Sequence, residues 1–238
     1  MSPFIAEFIG TAIILIFGSG VVANVTLNKT NGNSSGWIVI TFGWAIGVYT
    51  GVLISAKYSG AHLNPAITLA LAAVGKFETS QILPYITAQL LGAMMGSLIV
   101  YFAYHNHFKA TPDAAVLKSI FCTSPSIRSY FNNMITEATG TFVLTLAVLY
   151  MAAPDVGLGA LNALPVALVV LGLGLSMGGP TGYAINPARD LGPRIVHALL
   201  PIKPKAGFDL NYAWVPIIGP ILGALLAALV YYVITATL

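Results

Sequence analysis

Two octets decide how this 238-residue chain folds: Ser59-Gly60-Ala61-His62-Leu63-Asn64-Pro65-Ala66 and, 122 positions later, Thr181-Gly182-Tyr183-Ala184-Ile185-Asn186-Pro187-Ala188. Each interrupts an apolar run with glycine and proline. Each leaves room for only about ten helical residues after its proline, about 15 Å or half a bilayer. Such a segment cannot cross a membrane alone. Irregular backbone at membrane depth is tolerated only where it is buried in protein or lines a water-filled cavity, so two such segments imply a pore or a binding cavity.

The rest of the chain reads as membrane-embedded. Hydrophobic residues make up 57% and charged residues 7%, with a mean hydropathy of +0.86, whereas a soluble domain carries roughly a quarter charged residues. That ratio excludes a soluble globular enzyme. Apolar runs lie at 4–25, 37–58, 81–104, 131–153, 159–178 and 212–236, each near the roughly 20 residues that cross a bilayer. The longest polar loops left over are 26–36, 105–130 and 199–211. The N-terminus has neither a basic region nor a small-residue cleavage site, so its first run reads as a retained span. The ten Lys and Arg form no like-charged run, which argues against nucleic acid as a partner. The lone Cys122 cannot close an intramolecular disulfide and reads as a small buried side chain.

The octets belong to a wider repeat. Glu7-Phe8-Ile9-Gly10-Thr11 in the first span is matched by Glu137-Ala138-Thr139-Gly140-Thr141 in the fourth, and Gly92 and Gly96 in the third by Gly219 and Gly223 in the sixth. Each half has three spans and one half-span, and because three is odd the halves enter the membrane from opposite sides. The expected fold is therefore an all-α membrane protein with six transmembrane helices and two re-entrant half-helices. It forms one domain over 1–238, with a first inverted repeat at 1–115 and a second at 125–238. Small residues four apart allow close helix packing.

Asn64 and Asn186 are good N-caps, and Pro65 and Pro187 suit the first helical position. In an inverted repeat the two half-helices, opening Asn64-Pro65-Ala66 and Asn186-Pro187-Ala188, aim their N-termini at each other near the midplane. Each terminus carries roughly half a positive charge, and the amides add N–H donors, so cations and protons meet a barrier that neutral hydrogen-bonding solutes do not. Arg189 follows the second box. An arginine at this depth implies function, with a structural pair to Asp190 as the plainer reading. Its planar fork can hold two hydroxyls at once. Glu7 and Glu137 read as a proton relay or as buried acceptors for the unpaired N–H groups around 59–63 and 179–185. In the second case the carbonyls of Gly60, Ala61, His62, Gly182, Tyr183 and Ala184 are left facing the pore.

His62 reads as a gate or as a packed histidine. His105 and His107 lack a third ligand nearby, so no metal is expected; His197 suits a helix C-terminus. No nucleophile-base set, phosphate loop or redox motif is visible, so neither catalysis nor a cofactor is expected.

With two Asn-Pro-Ala boxes, the second continuing as Arg189-Asp190, in a duplicated six-span chain, the whole sequence resembles the aquaporins, the major intrinsic protein family. The resemblance implies a homotetramer with one pore per subunit, cytoplasmic termini and passive flow. The family's narrowest constriction falls, by position relative to the boxes, on Trp44, Gly174, Tyr183 and Arg189. Water-selective members usually carry histidine where Gly174 stands, and here glycine leaves room. Trp44 and Tyr183 make an aromatic corner for a CH backbone, with Arg189 opposite for hydroxyls. Asp190, Arg194 and Pro216-Ile217 also resemble the glycerol-facilitator branch, although phenylalanine is more typical there than Tyr183.

The expected function is thus a passive channel for glycerol and other small uncharged solutes, such as urea, dihydroxyacetone or protonated lactic acid, with water also passing. The alternatives are a water-selective aquaporin or an alternating-access transporter, in which inverted repeats and broken helices also occur. The short termini and compact length read as bacterial, which places the chain in a plasma membrane. One feature runs against the implied topology: Lys29, Lys109, Lys118, Arg128, Lys203 and Lys205 fall outside, against Lys57 and Lys76 inside, whereas positive charge ordinarily favours the inner face.

Overall fold

The computed structural model describes residues 1–151 and 159–236. Among the described residues the regular elements are helical. In chain order they are α1 (Pro3–Thr26), α2 (Trp37–Ser59), α3 (Pro65–Ala73), α4 (Ile82–Ala103), α5 (His105–Ala110), α6 (Ala114–Ser119), α7 (Tyr130–Tyr150), α8 (Leu164–Thr181), α9 (Pro187–Leu199), α10 (Leu210–Ala213) and α11 (Val215–Ala236). Short 3-10 turns at Thr79–Gln81 and Gly159–Ala163 precede α4 and α8.

The order long, long, half, long occurs twice: α1, α2, α3, α4 and then α7, α8, α9, α11. Of the six long helices, α1, α2, α4, α8 and α11 are long and apolar enough to cross a membrane. The sixth, α7, has 21 residues, about 31 Å of helix, but its first turns hold Asn132, Asn133, Thr136 and Glu137. Part of that polarity has internal partners: buried Asn133 accepts from the Ser129 N–H (2.9 Å) and donates to the Ile127 carbonyl (3.2 Å). The end of the expected run 131–153 lies outside the described residues, and the run at 159–178 begins as a 3-10 turn before becoming α8. The loop expected at 105–130 contains α5 and α6, because Asp113 accepts from the Ala115 (2.8 Å) and Val116 (3.2 Å) N–H groups and caps α6. The loop at 199–211 carries the start of α10.

In one half α1 packs on α2 and α4; in the other α7 packs on α8 and α11. A Cβ at Gly96 would collide with the Ala12 carbonyl, and one at Gly223 with the Ala138 carbonyl, so both helix pairs approach to backbone contact. The half-helices cross over: α3 lies against α11 as well as α4, and α9 against α4 as well as α11. Each half thus supplies a wall for the other's short helix, which fixes where the two helix N-termini meet.

Candidate functional site

The two octets adopt the same backbone. Helices α2 and α8 end at Gly60 (φ 77°) and Gly182 (φ 80°), both left-handed. Beyond them Ala61 (φ 53°) and Leu63 (φ 51°) are matched by Tyr183 (φ 38°) and Ile185 (φ 43°). Non-glycine residues pay roughly 1–3 kcal/mol each for such angles, and a β-branched isoleucine is rare there. Something must hold them.

Two buried carboxylates do. Glu7 Oε1 accepts from the Ser59 hydroxyl (2.6 Å) and the His62 N–H (3.0 Å), and Oε2 from the Leu63 N–H (2.7 Å) and the Gln89 amide (2.8 Å). Glu137 accepts the Ala184 N–H at Oε1 (3.0 Å) and the Ile185 N–H at Oε2 (2.8 Å). The hydroxyls of Ser59 and Thr181 accept in turn from the Ala61 (3.1 Å) and Tyr183 (3.3 Å) N–H groups. With the N–H groups drawn back to the carboxylates, the carbonyls of 60–62, 183 and 184 have no donor among the described residues. Gly60, Ala61, His62, Tyr183 and Ala184 line a cavity of about 100 Å³, whereas Gly182 lines the vestibule beyond it.

At the centre the boxes exchange hydrogen bonds. Asn64 Nδ2 donates to the Ile185 carbonyl and Asn186 Nδ2 to the Leu63 carbonyl, both at 2.8 Å. Their Oδ1 atoms cap the half-helices, accepting from the Ala66 and Ala188 N–H groups at 3.0 Å; Asn186 also takes the Arg189 N–H at 3.2 Å. A primary amide has two N–H bonds, so each asparagine retains one for the cavity that both line. Pro65, Ala66, Pro187 and Ala188 are buried behind them. The remaining wall is aliphatic and includes Val48, Val52, Leu144, Val148 and Val170. The cavity is therefore polar along one stripe and greasy elsewhere.

Trp44, Gly174, Tyr183 and Arg189 come together at one end. The Arg189 guanidinium lies 3.9 Å above the centre of the Trp44 ring, a cation-π contact. It has no carboxylate partner among the described residues. Asp190 turns the other way: its Oδ1 takes Arg194 Nε (2.8 Å), and its Oδ2 takes the N–H and hydroxyl of Thr123 (both 2.7 Å). Arg194 also donates to the Thr123 (2.8 Å) and Phe208 (3.0 Å) carbonyls. This network fastens the segment 119–129 to α9 and leaves the Arg189 donors unspent.

Gly174 sits differently from a simple gap. A Cβ there would lie 2.9 Å from the Tyr183 ring end and hydroxyl and 2.8 Å from the Thr41 methyl, so Tyr183 fills the space that glycine frees. Trp37 completes the arrangement, donating Nε1–H to the Gly174 carbonyl at 2.9 Å and meeting Tyr183 edge-on at 5.9 Å. Sequence reading missed Trp37, although Trp37, Thr41 and Trp44 stand at helical spacing on one face of α2. The Tyr183 hydroxyl, buried, has no hydrogen-bond partner among the described residues.

His62 is both packed and cavity-lining, held between Phe77 (4.5 Å) and Tyr85 (4.9 Å) with Nδ1 at 3.2 Å from the Thr68 hydroxyl. His107 Nδ1 faces the Asn28 carbonyl (3.1 Å), and His197 packs on Phe121 (5.4 Å). Among the described residues no cluster of three metal-ligating side chains occurs. Beyond the constriction a vestibule of about 550 Å³ is lined by Trp37, Trp44, Tyr183 and Arg189 and by Lys118, Arg128 and Asp209. Arg128 grips Asp209 through two bonds (3.0 and 2.5 Å), with Lys118 at 3.5 Å. These partners, Arg128 foremost, hold the Asp209 carboxyl below the usual range.

The profile of the major intrinsic protein family matches residues 1–231. A probable glycerol uptake facilitator protein of Thermotoga maritima is 51% identical over 231 residues, covering 97% of this chain and 98% of the relative. A glycerol uptake facilitator protein of Streptococcus pneumoniae strain R6 is 47% identical over the same length and the same shares. The X-ray structure of the aquaglyceroporin from Plasmodium falciparum superposes with a TM-score of 0.84 at 34% identity, covering 96% of this chain and 93% of that one.

Proposed function

The chain belongs to the major intrinsic protein family, and we propose from that premise that it is a passive channel for glycerol and other small uncharged solutes, with water following the same path. One observation carries the reading: Arg189, stacked on Trp44 and with no carboxylate partner among the described residues, stands at the mouth of a cavity that is polar on one stripe and aliphatic elsewhere. A polyol fits that division. Two hydroxyls engage the guanidinium fork while the CH backbone lies against Trp44, Tyr183 and the valine wall. Further in, the carbonyls of Gly60, Ala61, His62, Tyr183 and Ala184 accept hydroxyl protons, and the second N–H of Asn64 and of Asn186 donates.

Ions meet the opposite conditions. A charge entering so narrow a cavity loses several kcal/mol of hydration. A cation then faces Arg189 and two half-helix termini of roughly +0.5 each. Neither Glu7 nor Glu137 lines the cavity, and their oxygens are engaged by the backbone anchors, so neither ligates an entering cation.

The same reading takes 1–115 and 125–238 as inverted repeats and the protein as a homotetramer with a pore in each subunit, in a bacterial plasma membrane. No catalytic step or cofactor is assigned.

Proteoliposomes bearing the protein should swell in a glycerol gradient at least tenfold faster than empty vesicles, without saturating at low concentration. Water flux without glycerol flux would instead make the channel water-selective. Dependence on a proton or sodium gradient would make it a transporter. Native mass spectrometry checks the tetramer.

A further inference from the structure

The cations on the face opposite the termini can be accounted for singly. Lys118 and Arg128 are committed to Asp209. Lys205 donates to the Ala198 (2.6 Å) and Leu200 (2.8 Å) carbonyls, neutralising the C-terminal end of α9. Lys29, Lys109 and Lys203 remain, exposed and with no acidic partner among the described residues. Two of these three line one cavity.

That cavity, about 220 Å³, is bounded by Tyr101, His105, Phe108 and Lys109 from the end of α4 and from α5, and by Pro201, Ile202 and Lys203 just beyond α9. Its floor is aromatic and aliphatic, and its rim is basic. His105 stands edge-on to Tyr101 at 5.3 Å. Both α4 and α9 end within two residues of the pocket, which sets it at the depth of lipid headgroups. Phe102 and Leu199 beside it are 66% and 76% exposed, an apolar flank of the kind that acyl chains cover.

We infer that this pocket binds the phosphate-bearing headgroup of a membrane phospholipid, with Lys109 and Lys203 engaging the phosphate and the aromatic floor receiving the glycerol ester region. Juxtamembrane lysines contribute about 1 kcal/mol each toward anionic lipid, so an anionic headgroup should be held more tightly than a zwitterionic one. The site also explains why two unpaired lysines sit on the face where the positive-inside trend does not call for them.

The test uses the full-length protein in detergent, titrated with dioleoylphosphatidylglycerol and followed by native mass spectrometry. Wild type should retain one tightly held lipid per chain. K109A/K203A should weaken retention at least tenfold and leave glycerol flux unchanged. K57A/K76A, on the opposite face, should retain the lipid as wild type does. Millimolar inorganic phosphate that displaces the lipid and itself raises the melting temperature of wild type, but not of K109A/K203A, would support the same site with free phosphate as its source. Equal retention by wild type and K109A/K203A, or equal loss in K57A/K76A, would overturn the proposal. Because both lysines are exposed, the double variant should fold; K109Q/K203Q provides a second form of the test if it does not.

Discussion

The two Asn-Pro-Ala halves share a backbone and differ in what is attached to it. Glu7 and Glu137 draw back equivalent N–H groups, Gly60 and Gly182 turn the chain, and Asn64 and Asn186 exchange amides at equal distances. The half-helices themselves diverge. Helix α3 reads PAITLALAA, with no charge, whereas α9 carries Arg189, Asp190, Arg194 and His197. What both halves hold, carbonyls and helix termini, suits conduction and ion exclusion. What only the second half holds, the arginine and the Asp190–Arg194 pair that leaves it free, suits choice among solutes.

The anchors also differ in their backup, and there the largest effect is expected. Gln89 donates to Glu7, while its own Oε1 has no partner among the described residues, so in Glu7→Ala it can turn to accept a freed N–H. The matching position in the other half is Pro216, which offers no side-chain acceptor. Glu137→Ala therefore strands the Ala184 and Ile185 N–H groups, at roughly 1–3 kcal/mol apiece. Its folded yield and melting temperature in detergent should fall well below those of Glu7→Ala. Equal losses would mean that Gln89 gives no backup.

Next in size is the aromatic packing around Tyr183, where the two halves meet. Gly174→Ala places a methyl against Tyr183 and Thr41, an overpacking that costs roughly 1–3 kcal/mol. It should push Tyr183 toward the cavity and lower glycerol flux more than water flux. Tyr183→Leu in the same chain should restore the ratio, and no rescue would show that the two residues act separately. Arg189→Val tests the division between halves directly. Cation leak should rise about tenfold, near 1.4 kcal/mol of barrier, while fold and water flux persist. An unchanged leak would assign the whole barrier to the duplicated helix termini.

Much of this arrangement is legible in sequence because it is local and repeated. Asn-Pro pairs, flanking glycines and the two glutamates stand at matching positions, so their role can be argued from helix chemistry before any coordinates. The glutamates' partners also follow from counting the N–H groups left unpaired near each box. Other features depend on contacts distant in sequence, and no periodicity reports them. Asp190 choosing Arg194 and Thr123 over Arg189 is one. Tyr183 filling the space at Gly174, with Trp37 bracing both, is another. The helices α5 and α6 in the central loop escaped for a different reason: each is only six residues long, too short for an apolar pattern.

The smallest expected effect concerns a clasp with no counterpart in the first half among the described residues. Asp209, held by Arg128 and Lys118, ties the segment before α7 to the segment before α10. Its folded-state pKa lies below the ordinary value of 3.8. The clasp's stabilisation is therefore fully present above about pH 4 and is lost as pH falls through the depressed folded value. Arg128 is 44% exposed, so solvent screening limits the contribution to about 1 kcal/mol or less. Melting temperature should be level from pH 7 to about 5 and decline below 4 in wild type. Asp209→Asn should start slightly lower at neutral pH and lose less on acidification, narrowing the gap between the two. If the gap instead stays constant down to pH 3, the clasp does not report the Asp209 charge, and the outer segments are held by the Thr123-Asp190-Arg194 network alone.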